Sequence, residues 1–306
     1  MEQPSIIVIA GPTAAGKTAT ALAVAERLGD CAVISADSRQ IYRCLDIGTA
    51  KPTPEERTTC PHFFIDILNP DEYYSAGRFA DEASAVIRNM QAAGKRPIVV
   101  GGTGLYIASV FEGIFNEPQG DYTAVREELN KRMENEGREA LYAELDVIDP
   151  AAALRYSDKN PRRILRALEF YYATGSKFSE FSASRPATEF QAKYYGITPA
   201  LRGELYARIN RRSEEMWNGG LPEETERILA MGYSPELNAL NTVGYKETIA
   251  YLRNEISAEQ ALESIQRHTR NYAKRQITWL RRNASIKWLC GTANENAAAI
   301  AAELEQ

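Results

Sequence analysis

Through its first third the chain alternates short apolar runs with turn residues and helix-forming stretches, in the rhythm of a strand-helix-strand repeat. Ile6-Ile7-Val8-Ile9-Ala10 is wholly apolar, Cys31-Ala32-Val33-Ile34 is rich in β-branched residues, and Phe63-Phe64-Ile65-Asp66-Ile67 and Pro97-Ile98-Val99-Val100 follow. Runs this short that do not alternate read as strands buried on both faces, as in a parallel sheet. Between them, Ala19 to Leu28 is made of good helix formers, and Ser75 to Ala93 is amphipathic and stops at Gly94. Tyr42 to Pro61, punctuated by Gly48, Pro52, Pro54 and Pro61, reads as loop. The alternation predicts an α/β fold with a doubly wound parallel sheet.

Around Phe111 to Gly120 the pattern changes. Helices are predicted over Asp121 to Gly137, Arg138 to Leu145 and Asn160 to Thr174, the last with Pro161 in its first turn, and Gly175 to Glu189 reads as a Ser/Ala-rich loop. With no strand pattern between about 113 and 190, this stretch is expected to be a helical insertion. The expected division is a core of residues 1–115 and 191–306 and an insertion of residues 116–190. The strand pattern returns at Tyr194-Tyr195-Gly196-Ile197-Thr198. Helices are then predicted over Leu201 to Trp217, Pro222 to Met231, Tyr245 to Arg253 and Ser257 to about Arg282. Ile286-Lys287-Trp288-Leu289 is a last strand, and the alanine-rich tail, Asn294 to Gln306, is helix-prone.

Composition narrows the classes. Four cysteines without a C-x-x-C pair and only two histidines argue against a zinc or disulfide framework, so the expectation is a reduced, cytoplasmic protein without a membrane span or signal peptide. A net charge of −5 argues by itself against indiscriminate nucleic-acid binding. Basic residues nevertheless cluster. Arg267, Arg270, Lys274, Arg275, Arg281, Arg282 and Lys287 occur with no intervening acid, and Arg162, Arg163 and Arg166 form a second group. Such clusters are either solvated helix faces or a docking site for a polyanion.

The clearest chemistry lies at Gly11-Pro12-Thr13-Ala14-Ala15-Gly16-Lys17-Thr18, between the first strand and the first helix. Its G-x-x-x-x-G-K-[ST] pattern, in that context, is a phosphate-binding loop. The glycines let successive N–H groups face inward, and the helix start adds unpaired donors and the positive end of its dipole. Lys17 supplies a point charge, and Thr18 a hydroxyl for a magnesium ion. Asp37 follows the second strand and Gly101-Gly102-Thr103-Gly104 the fourth, so both turns are expected at the same sheet edge as the phosphate loop. A kinase or NTPase usually carries an acid at such a strand end for magnesium, but here glycines and Thr103 stand there. Asp37 remains as a metal ligand or general base. Asp66 reads as structural, and His62 as a packing histidine. Arg208 and Arg212, four apart on a predicted helix, suit either a diphosphate clamp or pairing with Glu214 and Glu215.

Taken together, GPTAAGKT, Ile34 to Pro52, Pro61 to Ile67, Gly101 to Ile107, Asn160 to Glu169, Asn241 to Glu247 and Thr269 to Arg281 resemble the tRNA dimethylallyltransferase (tRNA isopentenyltransferase) family, collinearly over about 280 residues. The resemblance implies a P-loop core that holds dimethylallyl diphosphate rather than spending ATP. It implies transfer of the dimethylallyl group to N6 of the adenosine immediately 3′ of the anticodon, and a tRNA-binding insertion. It implies Asp37 as general base, Thr103 near the reacting centre and Arg208 on the diphosphate. Ser38, Arg39, Gln40, Arg126, Arg162, Arg163, Arg166, Asn241, Gly244 and Lys246, with Asp37 and Thr103, are implied on the tRNA side, and Gln276 lies in a further such segment. Mg2+ at Thr18, a monomer, and the anticodon stem-loop as partner complete the expectation. An adenylate isopentenyltransferase acting on a free nucleotide is the alternative on the same fold.

Overall fold

The computed structural model describes residues 5–113, 122–181 and 189–304. Its strands are β1 (Ile6–Ala10), β2 (Cys31–Ala36), β3 (His62–Phe63), β4 (Arg96–Gly101), β5 (Ala192–Ile197) and β6 (Lys287–Leu289). They form one parallel sheet in the order β3-β2-β4-β1-β5-β6. Helix α1 (Lys17–Leu28) links β1 to β2, α2 (Pro54–Thr59) precedes β3, α3 (Ala76–Ala92) leads to β4, and α4 (Gly104–Phe111) leaves it. Next come α5 (Thr123–Ile148), α6 (Pro150–Arg155), α7 (Pro161–Thr174) and α8 (Phe178–Phe181). Between β5 and β6 lie α9 (Arg202–Asn218), α10 (Leu221–Ala230), α11 (Tyr245–Leu252) and α12 (Ala258–Leu280), and α13 (Ala293–Leu304) ends the chain's described part.

The chain divides into two compact units, Met1–Phe111 with Thr188–Gln306, and Glu112–Ala187. The first is the α/β core. Ile7, Ile9, Val33, Ile98 and Val100 of the central strands pack with Val24 of α1 and Ile300 of α13, because strands covered on both faces need apolar side chains on both. The second unit has its own core of Leu129, Leu141, Leu145, Ile164, Leu168, Phe170 and Phe178. The boundary expected at residues 115 and 116, the helix start expected at Asp121 and residues 182–188 of the loop expected between Gly175 and Glu189 fall outside the described residues, and the described part of that loop is not all loop, since it contains α8.

Three local features differ from the sequence reading. The stretch Tyr42 to Pro61 is not all loop. Thr53 accepts from the Glu56 N–H, Glu56 accepts from the Thr53 N–H, and Pro54 takes the first position, a capping box that starts α2. The same logic, Asp149 capping and Pro150 at the first position, begins the unpredicted α6. Of the strand expected over Phe63 to Ile67 only Phe63, with His62 before it, pairs with β2, since Phe64 and Asp66 take left-handed backbone (φ 64° and 58°). There the Asp66 carboxylate bonds Lys51 and Arg57. Burial opposes its ionisation, but those hydrogen bonds prevail and hold it below the ordinary carboxylate range. Gly137, at φ 80° and ψ 167°, breaks α5 where two helices were predicted to meet. Among the described residues no helix is long and apolar enough to cross a membrane.

Candidate active site

Register brings the candidate chemistry together. Ala10 pairs with Gly101, and Gly101 with Ala36, so β1, β4 and β2 end level, and the turns that follow them emerge side by side. The Thr103 N–H donates to the Ala36 carbonyl at 3.1 Å, and Thr103 Oγ1 accepts from the Ser38 N–H at 3.1 Å. Thr103 is thereby tied to the turn that carries Asp37. Asp37 Oδ1 accepts from the Arg39 N–H at 2.9 Å and the Gln40 N–H at 3.4 Å, an Asx turn that fixes the carboxylate, while Oδ2 makes no hydrogen bond among the described residues.

The phosphate loop closes into α1 through Gly16, whose φ of 95° only glycine adopts without strain. Lys17 Nζ donates to the Pro12 carbonyl at 2.8 Å, across the mouth of the loop. Burial pushes the Lys17 ammonium down to about 8. Asp37 acts against that shift, and Arg212 acts with it. Arg212, half-buried on α9, is itself lowered by burial and held up by Asp37. Lys17, Arg212 and Asp37 therefore share one electrostatic neighbourhood. Arg208 lies one turn earlier on α9 and is exposed. Thr18 is half-buried on the first turn of α1.

Helix α12 contributes side chains that the sequence pattern did not single out for this role. Burial, with Asp37 acting the same way, pushes the Tyr272 hydroxyl up to about 12, and a hydrogen bond with Thr103 opposes them. Gln276 is buried against the phosphate loop. The Asp37 turn is braced from behind as well. Gln40 Nε2 donates to the Thr49 and Ala50 carbonyls, and Gln40 Oε1 accepts from Ser35 Oγ. The loop that carries those carbonyls is gripped by Glu224, 3% exposed on α10. Its carboxylate accepts from the N–H groups of Asp46, Ile47 and Gly48 and from the Tyr245 hydroxyl, at 2.6 to 3.3 Å.

The remaining expected residues are placed as follows. Arg39 Nη1 donates to the Asn238 carbonyl at 2.6 Å. Asn241 is exposed, Gly244 is buried with φ 105° at the start of α11, and Lys246 is exposed with Nζ 3.7 Å from Glu247. In the second unit, Arg126 and Arg166 both pair with Glu169, itself 5% exposed. Arg163 pairs with Asp158 at 3.2 Å, and Arg162 is exposed on the first turn of α7.

A parallel sheet with a glycine-and-lysine loop at one edge, beside the turn that carries Asp37, defines a P-loop α/β fold. A family model described as IPP transferase matches residues 40–283, and the chain belongs to the IPP transferase family. Over 291 residues it is 45% identical to a tRNA dimethylallyltransferase of Geobacter sulfurreducens, spanning 94% of this chain and 93% of that protein. The crystal structure of the full-length tRNA isopentenylpyrophosphate transferase of Bacillus halodurans superposes with a TM-score of 0.72 at 37% identity, over 99% of this chain and 97% of that one. A eukaryotic dimethylallyltransferase, solved in crystallographic snapshots of its action on tRNA, gives a TM-score of 0.82 at 28% identity, over 98% and 78% of the two chains.

Proposed function

We propose that this protein transfers the dimethylallyl group of dimethylallyl diphosphate to N6 of the adenosine immediately 3′ of a tRNA anticodon, giving N6-(dimethylallyl)adenosine and diphosphate. The observation that carries this reading is that Lys17 and Asp37, on the turns that leave β1 and β2, share one electrostatic neighbourhood with Arg212 of α9, in a chain 45% identical to a tRNA dimethylallyltransferase. The loop N–H groups, Lys17 and Arg212, with Arg208 nearer solvent, hold the diphosphate and balance the charge that grows on it as the allylic carbon–oxygen bond breaks. The exocyclic amine of adenine is a weak nucleophile because its lone pair is delocalised into the ring. Asp37 takes its proton as the nitrogen–carbon bond forms, a role worth on the order of a hundredfold or more. An anticodon-loop base reaches such a site only once flipped out of its stack. The donor set suits magnesium held mainly by the diphosphate and water: the Thr18 hydroxyl sits at the cradle, and among the described residues there is no cluster of three acids, cysteines or histidines that would bind a metal alone. When bound, magnesium would neutralise diphosphate charge.

The test is transfer from labelled dimethylallyl diphosphate to an anticodon stem-loop, with AMP and ATP as parallel substrates. Label in the stem-loop supports the reading. Label in AMP alone supports a free-nucleotide enzyme, and ATP consumption with a phosphorylated product overturns both.

The lowered Lys17 adds a pH signature. A lysine depressed on folding destabilises the unliganded protein below its folded value of about 8, and that cost is relieved as pH rises toward the free-lysine value of 10.5. A bound anion favours the charged form, so pyrophosphate affinity is expected to fall as pH rises through about 8. Calorimetric titration of wild type against Lys17→Arg, which stays charged, separates this loss from pyrophosphate's own ionisation. Parallel profiles for the two proteins would exclude Lys17 as its source.

A further inference from the structure

Gln276 sits on α12, 6% exposed, and its side-chain amide is used at both ends. Oε1 accepts from the Thr13 N–H of the phosphate loop at 2.9 Å, and Nε2 donates to the Gly102 carbonyl at 3.0 Å. One partner is an obligate donor and the other an obligate acceptor, so the amide's orientation is fixed. The contact is tight enough that a Cβ at Gly102 would lie 2.1 Å from Nε2. Apolar packing runs alongside it: Ala273, one turn earlier on α12, belongs to a cluster with Leu205 and Ile209 of α9, and Ala14 of the phosphate loop packs against that cluster. An amide committed in this way is not available to a nucleic acid, although its segment is one that the family resemblance places on the RNA.

We propose that Gln276 is a positioning residue, a strut that sets the distance between the phosphate loop at Thr13 and the turn bearing Thr103. The leaving group would be held by one of these elements and the reacting centre would face the other, so a single side chain keeps the two halves of the reaction in register. This rests on the reading that the loop holds a diphosphate.

The experiment compares Gln276→Met, which keeps length and loses both hydrogen bonds, with Gln276→Glu, which can still accept from Thr13 but donates to Gly102 only when protonated. Inorganic pyrophosphate binding is measured by calorimetry, anticodon stem-loop binding by a filter assay, and melting by circular dichroism. Gln276→Met is expected to weaken pyrophosphate about tenfold, from two lost buried hydrogen bonds, and to leave stem-loop affinity within about twofold. Gln276→Glu is expected to weaken pyrophosphate at neutral pH, where it keeps the Thr13 bond but cannot donate to Gly102, and to recover toward wild type as pH falls. If Gln276→Met does not fold, the Gln276→Glu profile decides. Unchanged pyrophosphate binding with weakened stem-loop binding, or a Gln276→Glu loss independent of pH, overturns the proposal. Wild-type protein that fails to bind pyrophosphate overturns instead the functional reading beneath it.

Discussion

Replacing Asp37 by asparagine is expected to lower the rate of prenyl transfer by a factor on the order of a hundred or more, with stem-loop affinity and melting temperature little changed. The choice of asparagine follows from the geometry. Asp37 Oδ1 accepts the Arg39 and Gln40 N–H groups that shape the turn, and an amide oxygen can take over both bonds. What asparagine cannot do is accept a proton at the position of Oδ2, which makes no hydrogen bond among the described residues. A fall of this kind without a fall in stem-loop affinity is the signature of an interaction that matters only in the transition state. Single-turnover assays with saturating dimethylallyl diphosphate make the measurement. A variant that keeps more than about a tenth of the wild-type rate rules Asp37 out as the base.

Glu224→Ala is expected to cost about 3 kcal/mol of folding stability or more, although Glu224 lies on α10, well away in sequence from every turn at the sheet edge. Truncation leaves the part-buried N–H groups of Asp46, Ile47 and Gly48 and the buried Tyr245 hydroxyl without their acceptor. Each orphaned buried donor carries a desolvation penalty that the wild-type carboxylate cancels. Tyr245→Phe, which removes one donor and leaves the anion with its backbone partners, should cost only about 1 kcal/mol. Urea unfolding with an unchanged m-value checks the pair, and equal losses for the two would show that the carboxylate is not the organising group. The Glu224→Ala protein should also lose activity beyond its loss of fold. The loop freed by the change supplies the Thr49 and Ala50 carbonyls that hold Gln40, three residues beyond Asp37.

Backbone-borne features were legible in the sequence. The phosphate loop, the Asp37 turn and the turn at Thr103 each follow an apolar run, and a parallel sheet must bring the ends of such runs to one edge, so their meeting could be read from pattern and strand polarity. Side-chain partnerships were not legible. Gln276 lies 263 residues from Thr13, and Glu224 lies 177 from Ile47, separations over which no periodicity carries information. Arg208 and Arg212 looked equivalent because four residues make one turn. Only the packing of α9 leaves the first exposed and half-buries the second beside Lys17 and Asp37. The short helix α2 was missed because Pro54 read as punctuation, whereas it follows the capping Thr53 and so opens a helix, and Asp149 with Pro150 opens α6 in the same way.

The core lets its chain out at Phe111 and takes it back by Tyr194, and those two rings meet edge to face with centroids 5.9 Å apart. Because exit and return are neighbours, the segment between them is a closed loop, and the entropy of tying its ends grows only with the logarithm of its length. The stability of the sheet is thus nearly indifferent to how many residues are spliced in at that doorway, and the insertion is free to change size without retuning the strands beneath it.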